Sequence, residues 1–259
     1  AVDEDTPKVH VDSTESGKRA LTLQWVESVQ SELLFLGGIN DVAEGFDKNE
    51  IFVTRWRWYP LPVQGEKHAS GLTQILQREA ALLQTFFKKT DVVRCHRAVP
   101  NDPFKCDIVA GGGHMYNGIT ISTDRKTLFV ADVIPKIIRM FARDYDNDTG
   151  EFIGLRSLGD INVGHAVDNL DYDQASGDLI AGTVPVMWQA FIRMKYDNSF
   201  PVPGGLIRLS GSPTKGYTTT EHVITDGKEF SQVSAGVFWG SDVILGSPFS
   251  PGIGVCKRV

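Results

Sequence analysis

Residues 117–132 read NGITISTDRKTLFVAD, and this stretch decides the fold. Asn117 and Gly118 open a short apolar run through Ile121. Thr123 to Lys126 then supply turn chemistry, and Leu128 to Ala131 form a second apolar run that ends on Asp132. Asp, Asn, Gly and Lys at such points favour a reversal, while β-branched and aromatic residues on either side favour extended chain. The stretch therefore predicts a β-hairpin.

The same template recurs at 40–54 (NDVAEGFDKNEIFVT), at 168–182 (DNLDYDQASGDLIAG) and more loosely at 234–246 (SAGVFWGSDVILG). A polar residue precedes an apolar strand, a turn follows, and the second strand ends on a small residue. Recurrence at about 40–50 residues is the signature of propeller blades, each a four-stranded sheet. The first interval is longer, and it holds the one clear helical pattern, Leu72 to Phe87. Leu72, Ile75, Leu76, Ala80, Leu83, Phe86 and Phe87 fall near one face, with Gln74, Gln77, Arg78 and Glu79 on the polar side. This predicts a helical insertion at 72–87 packed on the sheets. A second reading makes the Arg55–Phe87 region a lid or a membrane or lipid-surface contact, because RWRWYPLP (55–62) carries aromatic residues suited to interfaces.

Bulk properties exclude several classes. The chain has 259 residues and a formal net charge of -6, which argues against nucleic acid as a partner, since phosphates call for a basic patch. No run approaches the length of apolar sequence that spans a bilayer. The start, AVDEDTPKVHV, has no apolar segment of the signal-peptide kind, so a secreted protein would have lost its signal already. Asn147-Asp-Thr149 is a glycosylation sequon. Asp144 to Gly150 fails as an EF-hand loop, since Thr149 stands where the glycine belongs, and it reads as an acidic hairpin turn. Gly111 to Gly113 lacks the strand-then-helix setting of a phosphate loop, and no G-x-S-x-G elbow is present.

Four segments resemble the paraoxonase/arylesterase family. Residues 117–132 resemble its NGIxISPDGKxxYVAE segment. Val167-Asp-Asn169 followed by SGDLIAG resembles its VDNISVDPETGDLWVG segment. Gly38-Ile-Asn-Asp-Val42 resembles its LNDI strand, and Leu245-GSPF through Cys256 resembles its closing strand. The resemblance implies a secreted, calcium-dependent six-bladed β-propeller, with this chain, 1–259, supplying about four blades of a single domain. It implies a catalytic calcium held by Asn40, Asn117, Asp168 and Asn169, and a second, structural calcium touching Asp41. Such donors suit a hard cation that takes six to eight oxygens. The implied activity is hydrolysis of an ester or lactone, a small-molecule substrate whose carbonyl the ion polarises. The alternatives are a non-catalytic, calcium-stabilised propeller acting as a binding protein, or the same metal put to isomerisation or cyclisation.

The family's acidic pair for the two ions and the histidine of its proposed base lie in segments with no match in this chain. A further histidine expected after the VTRW strand is replaced in the Arg55-Trp56 region. The resemblance thus implies a companion N-terminal chain that completes the ring, with a smaller re-closed ring or a dimer as alternatives. Cys256 matches a family cysteine whose partner lies near the N-terminus, so it implies an inter-chain disulfide. Cys95 and Cys106 flank a Pro- and Asn-rich loop between apolar strands and predict a local disulfide. His114 and His165, each three residues before a proposed ligand, are the candidates for a base within this chain. Tyr116, Trp188, Phe191 and Phe249 are expected to wall the site.

Overall fold

The second strand of each hairpin explains the architecture. In residues 128–132, LFVAD, all five side chains are buried, yet successive side chains of a strand point to opposite faces. Such a strand must be covered on both sides. Leu128 and Val130 pack with Phe52, Val92 and Ala43, while Phe129 and Ala131 pack with Val167, Leu170, Leu179 and Ile207. An unbroken apolar run here marks a sheet sandwiched between two others.

The computed structural model describes residues 29, 31–35, 38–57, 90–99, 102–195 and 199–257. Four antiparallel sheets follow one another in chain order. Blade one comprises β1 (Gly38–Glu44), β2 (Glu50–Arg57), β3 (Thr90–His96) and β4 (Lys105–Gly113), preceded by one turn of helix, α1 (Glu32–Phe35). Blade two comprises β5 (Tyr116–Ile121), β6 (Leu128–Asp132), β7 (Ile137–Tyr145) and β8 (Phe152–Asn162). Blade three comprises β9 (Ala166–Asp173), β10 (Asp178–Val184), β11 (Gly204–Ser212) and β12 (Gly216–Thr225), with α2 (Met187–Lys195) inserted after β10. Blade four has, among the described residues, three strands, β13 (Ala235–Trp239), β14 (Asp242–Gly246) and β15 (Gly254–Lys257). Within each blade the strands pair in sequence order, and the first strands, β1, β5, β9 and β13, contact one another in turn. This is the β-propeller arrangement, with the first strands innermost.

Apolar seams between sheets hold the blades together. Ile180 and Leu206 of blade three meet Val243 and Leu245 of blade four just as blades one to three meet each other. Side chains of this size contribute about 1.5–3 kcal/mol each when fully buried. The seam between blades one and two also carries charge: Arg143 on β7 reaches Asp47 at 2.7 Å and Glu50 at 2.8 Å, and Arg94 pairs with the same buried Glu50.

The predicted helix at 72–87 and most of the Arg55–Phe87 surface region lie outside the described residues. The helix α2 is an addition that the sequence reading did not anticipate. Its Arg193 is buried and donates to the Phe200 carbonyl at 2.5 Å and to Ser231 Oγ at 2.9 Å, with the Phe249 ring 4.9 Å away. This pins the helix to the segment that enters β11, the connection from blade three to blade four, and the β14–β15 loop. No helix among the described residues is long and apolar enough to cross a membrane.

Candidate metal centre

Three innermost strands carry the same irregularity at the same place. On β1, Ile39 faces Arg55 and Val42 faces Val53, so Asn40 and Asp41 together oppose Thr54. On β5, Tyr116 faces Asp132 and Ile119 faces Val130, so Asn117 and Gly118 oppose Ala131. On β9, Val167 faces Thr183 and Leu170 faces Ala181, so Asp168 and Asn169 oppose Gly182. Each is a β-bulge, which puts one extra residue into a strand, bends it and re-aims the side chains. Every residue the sequence nominated as a calcium ligand sits in one of these bulges. Blade four has none: β13 pairs with β14 without a break from Ala235 to Trp239.

Hydrogen bonds then tie one bulge to the next. The Thr54 hydroxyl donates to the Asn117 carbonyl at 2.6 Å and accepts the Asp41 N–H at 3.1 Å. The Asp41 carboxylate accepts N–H bonds from Val42 at 2.8 Å and Ile119 at 3.0 Å. Between β5 and β9 the backbones touch, and a Cβ on Gly118 would lie 2.6 Å from Asn169 Cα and 2.4 Å from Leu170 N. Only glycine permits that approach. Asn169 donates both its backbone N–H and its side-chain amide to the Ser234 carbonyl, at 3.0 and 3.1 Å, which fixes the nitrogen end of the amide. Asn40 shares its bulge with Asp41 and is half-buried.

Electrostatics mark the same place. Burial pushes the Asp168 carboxyl up to about 6, and the nearby charge of Asp41 adds to the rise, against a hydrogen bond from the Asn117 side chain that lowers it. Burial also raises Asp41, opposed by its two backbone hydrogen bonds. The Asn117 amide oxygen is buried and has no hydrogen-bond partner. Two carboxylates short of positive charge and an orphaned amide oxygen thus converge, and a buried acceptor of this kind is costly unless something fills it. The donors are hard oxygens, the chemistry of calcium rather than zinc. Among the described residues no group of three or more His, Cys, Asp and Glu is placed to hold a metal ion, and at the bulges the donor set includes Asn amides. The residues present fit a calcium ion.

His114 and His165 occupy the turns that enter β5 and β9, and both are half-buried. Asp132, fully buried, accepts the N–H groups of His114 at 3.1 Å and Met115 at 3.0 Å, and it pairs with Arg139 at 2.9 Å. Arg55, where a family histidine was expected, is committed to Asp91 by two bonds of 2.6 and 2.5 Å and to the Leu33 carbonyl at 2.7 Å. Tyr116 corrects an expectation: it is only 1% exposed, inside the seam between blades one and two, and is no part of an open wall. Trp188 on α2 is exposed, and Phe249 stacks with Arg193. Cys95 and Cys106 are directly opposed on β3 and β4 and form a disulfide, whereas Cys256 on β15 is free. Asn147 is exposed at the tip of the β7–β8 turn. The sequence reading missed Thr54, Asp132 and Ser234. Asp132 had a signal, a carboxylate closing an otherwise apolar run; Thr54 and the Ser234 carbonyl had none.

The family model for arylesterase matches residues 94–252, more than half of the chain. Serum paraoxonase/arylesterase 2 of Rattus norvegicus is 26% identical over 155 residues, 60% of this chain and 41% of that protein. Serum paraoxonase/lactonase 3 of Homo sapiens is 26% identical over 167 residues, 64% of this chain and 45% of that protein. The chain therefore spans less than half the length of these relatives. Among solved structures, the calcium-binding protein regucalcin of Agrobacterium tumefaciens is 11% identical, with a TM-score of 0.42, covering 82% of this chain and 54% of its own.

Proposed function

The chain belongs to the arylesterase family, and from that premise we propose that it forms the metal-binding arc of a calcium-dependent hydrolase of esters or lactones. The observation that carries the reading is the orphaned Asn117 amide oxygen beside two desolvated carboxylates, repeated bulges having brought all three to one place. Asn40, Asn117, Asp168 and Asn169 would hold one ion, and Asp41 would touch a second. Bound there, calcium supplies a Lewis acid for the carbonyl oxygen of a small-molecule substrate. The chain's own residues orient the donors: Thr54 and Ser234 fix the bulges, and Gly118 lets β5 and β9 close.

The wider reading is a six-bladed, secreted glycoprotein carrying sugar at Asn147. Its partner is a companion chain that completes the ring and is disulfide-linked through Cys256. Two features support the partner. Among the described residues blade four has three strands where the others have four, with β15 outermost and the free Cys256 on it. Beside it, Val237, Trp239 and Val255 are large, apolar and 41%, 72% and 60% exposed. An outermost strand beside exposed apolar surface is a ready site for another strand and sheet.

Thermal melts with millimolar calcium against a chelator test the ion, and turnover of phenyl acetate and simple lactones tests the chemistry. The expected result is a calcium-dependent rise in Tm together with hydrolysis that the chelator abolishes. Absence of any calcium effect on Tm sinks the metal reading. A calcium effect without turnover favours the non-catalytic binding protein. Electrophoresis of native material with and without reductant tests the companion, and an unchanged mass on reduction argues against it.

A further inference from the structure

One buried carboxylate has no place in the metal site. Asp132 ends β6 with no exposed surface and accepts five hydrogen-bond contacts. Two come from the His114 N–H, at 3.1 and 3.4 Å, and one from the Met115 N–H at 3.0 Å. Two more come from Arg139, through Nε at 3.1 Å and Nη2 at 2.9 Å. The His114 ring folds back over the same group, with Nδ1 3.9 Å from Asp132 Oδ2. That Nδ1 is buried and has no hydrogen-bond partner. An approach of about 1 Å would make the bond, and hydrogen bonds that serve catalysis are often long before substrate arrives.

The placement suits a proton-transfer pair. His114 lies in the turn entering β5, three residues before Asn117, and Asp132 is the register partner of Tyr116 beside the Asn117 bulge. The ring therefore stands at the same end of β5 as the proposed ion. We infer that His114 is the acid–base group of this site and that Asp132 positions it. This rests on the hydrolase reading above. Asp132 accepts from Nδ1–H and so selects the tautomer with its lone pair on Nε2. In hydrolysis Nε2 takes a proton from water as the water oxygen bonds to the carbonyl carbon. The same proton passes to the leaving oxygen as its bond to that carbon breaks, and the imidazole returns neutral.

The carboxylates around the ring are already partnered by arginines. Asp132 shares its charge with Arg139, which also lies 3.7 Å from Asp160 on β8. Across the seam, Asp91 of β3 is spent on Arg55 of β2. The Tyr116 phenol is pushed up to about 12 by burial and stays protonated.

The test uses the protein purified without reductant, in calcium, with phenyl acetate as substrate and nitrogen NMR of the histidine rings as a second readout. His114→Gln should lower kcat by about 100-fold or more, with KM and the calcium-induced Tm shift unchanged. Asp132→Asn keeps an oxygen for the two backbone donors and should move the acidic limb of the kcat profile to lower pH. If that variant fails to fold, Arg139→Gln should move the same limb to higher pH, because Asp132 then keeps its whole charge. A His114→Gln rate within twofold of the parent overturns the proposal, as does a limb that neither variant moves. If the parent hydrolyses nothing with calcium bound, the hydrolase reading fails, and with it the catalytic role of His114. The spectra still decide the pairing: an Nδ1–H tautomer supports it, and an Nε2–H tautomer overturns it.

Discussion

Blades three and four grow from the same hairpin template, yet their innermost strands differ by one inserted residue. In β9 the insertion places Asp168 and Asn169 opposite the single residue Gly182. In β13 the ladder runs unbroken, and the Ser234 carbonyl just before it accepts two bonds from Asn169. A bulge is what lets neighbouring residues such as Asp168 and Asn169 share one side, because an unbroken strand must send neighbouring side chains to opposite faces. It also separates two jobs: blades one to three carry the bulges, while blade four keeps a regular ladder.

That contrast can be broken in graded steps. The largest effect is expected from Asp168→Ala, which should lower calcium affinity by more than about 100-fold, beyond the loss usual for supporting residues around a metal. Ser234→Ala, which keeps the carbonyl, should leave affinity within about twofold; titration calorimetry with calcium distinguishes them. Next is the β5–β9 contact. Gly118→Ala drives a Cβ into the Asn169 backbone and should cost about 2–3 kcal/mol. Gly246→Ala in blade four meets nothing closer than 3.8 Å and should stay within about 0.5 kcal/mol, both read by denaturant unfolding.

The pH response comes third. The Asp168 carboxyl sits near 6 in the folded protein against an ordinary value of 3.8, so the folded state holds that proton more tightly. Without metal, stability should therefore fall as pH rises from about 4 to about 6 and then level off. Calcium needs the carboxylate, so its affinity should rise over the same interval. Melts at several pH values, with and without calcium, check both slopes, and Asp168→Asn should flatten the metal-free one. The smallest effect is expected from Thr54→Val, which removes the hydroxyl joining two bulges. It should cost about 1 kcal/mol, measured by thermal unfolding in the chelated protein.

Much of the fold was legible because each hairpin announces itself locally. The unbroken LFVA and LIAG runs give second strands buried on both faces, and the resemblance to the paraoxonase/arylesterase family nominates the polar residues at the starts of the first strands. The helix α2 was not legible, since its anchoring residue is a buried arginine whose partners, Phe200 and Ser231, come from later loops. Tyr116 was misread for a related reason: an aromatic beside a proposed ligand looks like a pocket wall until the neighbouring blade covers it.

By itself the sequence determined the order of hairpins, the residue types fit for a hard cation and the family to which they belong. Local propensity and side-chain chemistry are properties of the chain and survive without neighbours. Only the tertiary structure decided that Asp41, Asn117 and Asp168 meet, that Thr54 links two of the bulges, and that Asp132 lies buried beneath His114. Those facts depend on strands far apart in sequence being pressed together, and on the burial that then raises a carboxylate or strands an amide oxygen.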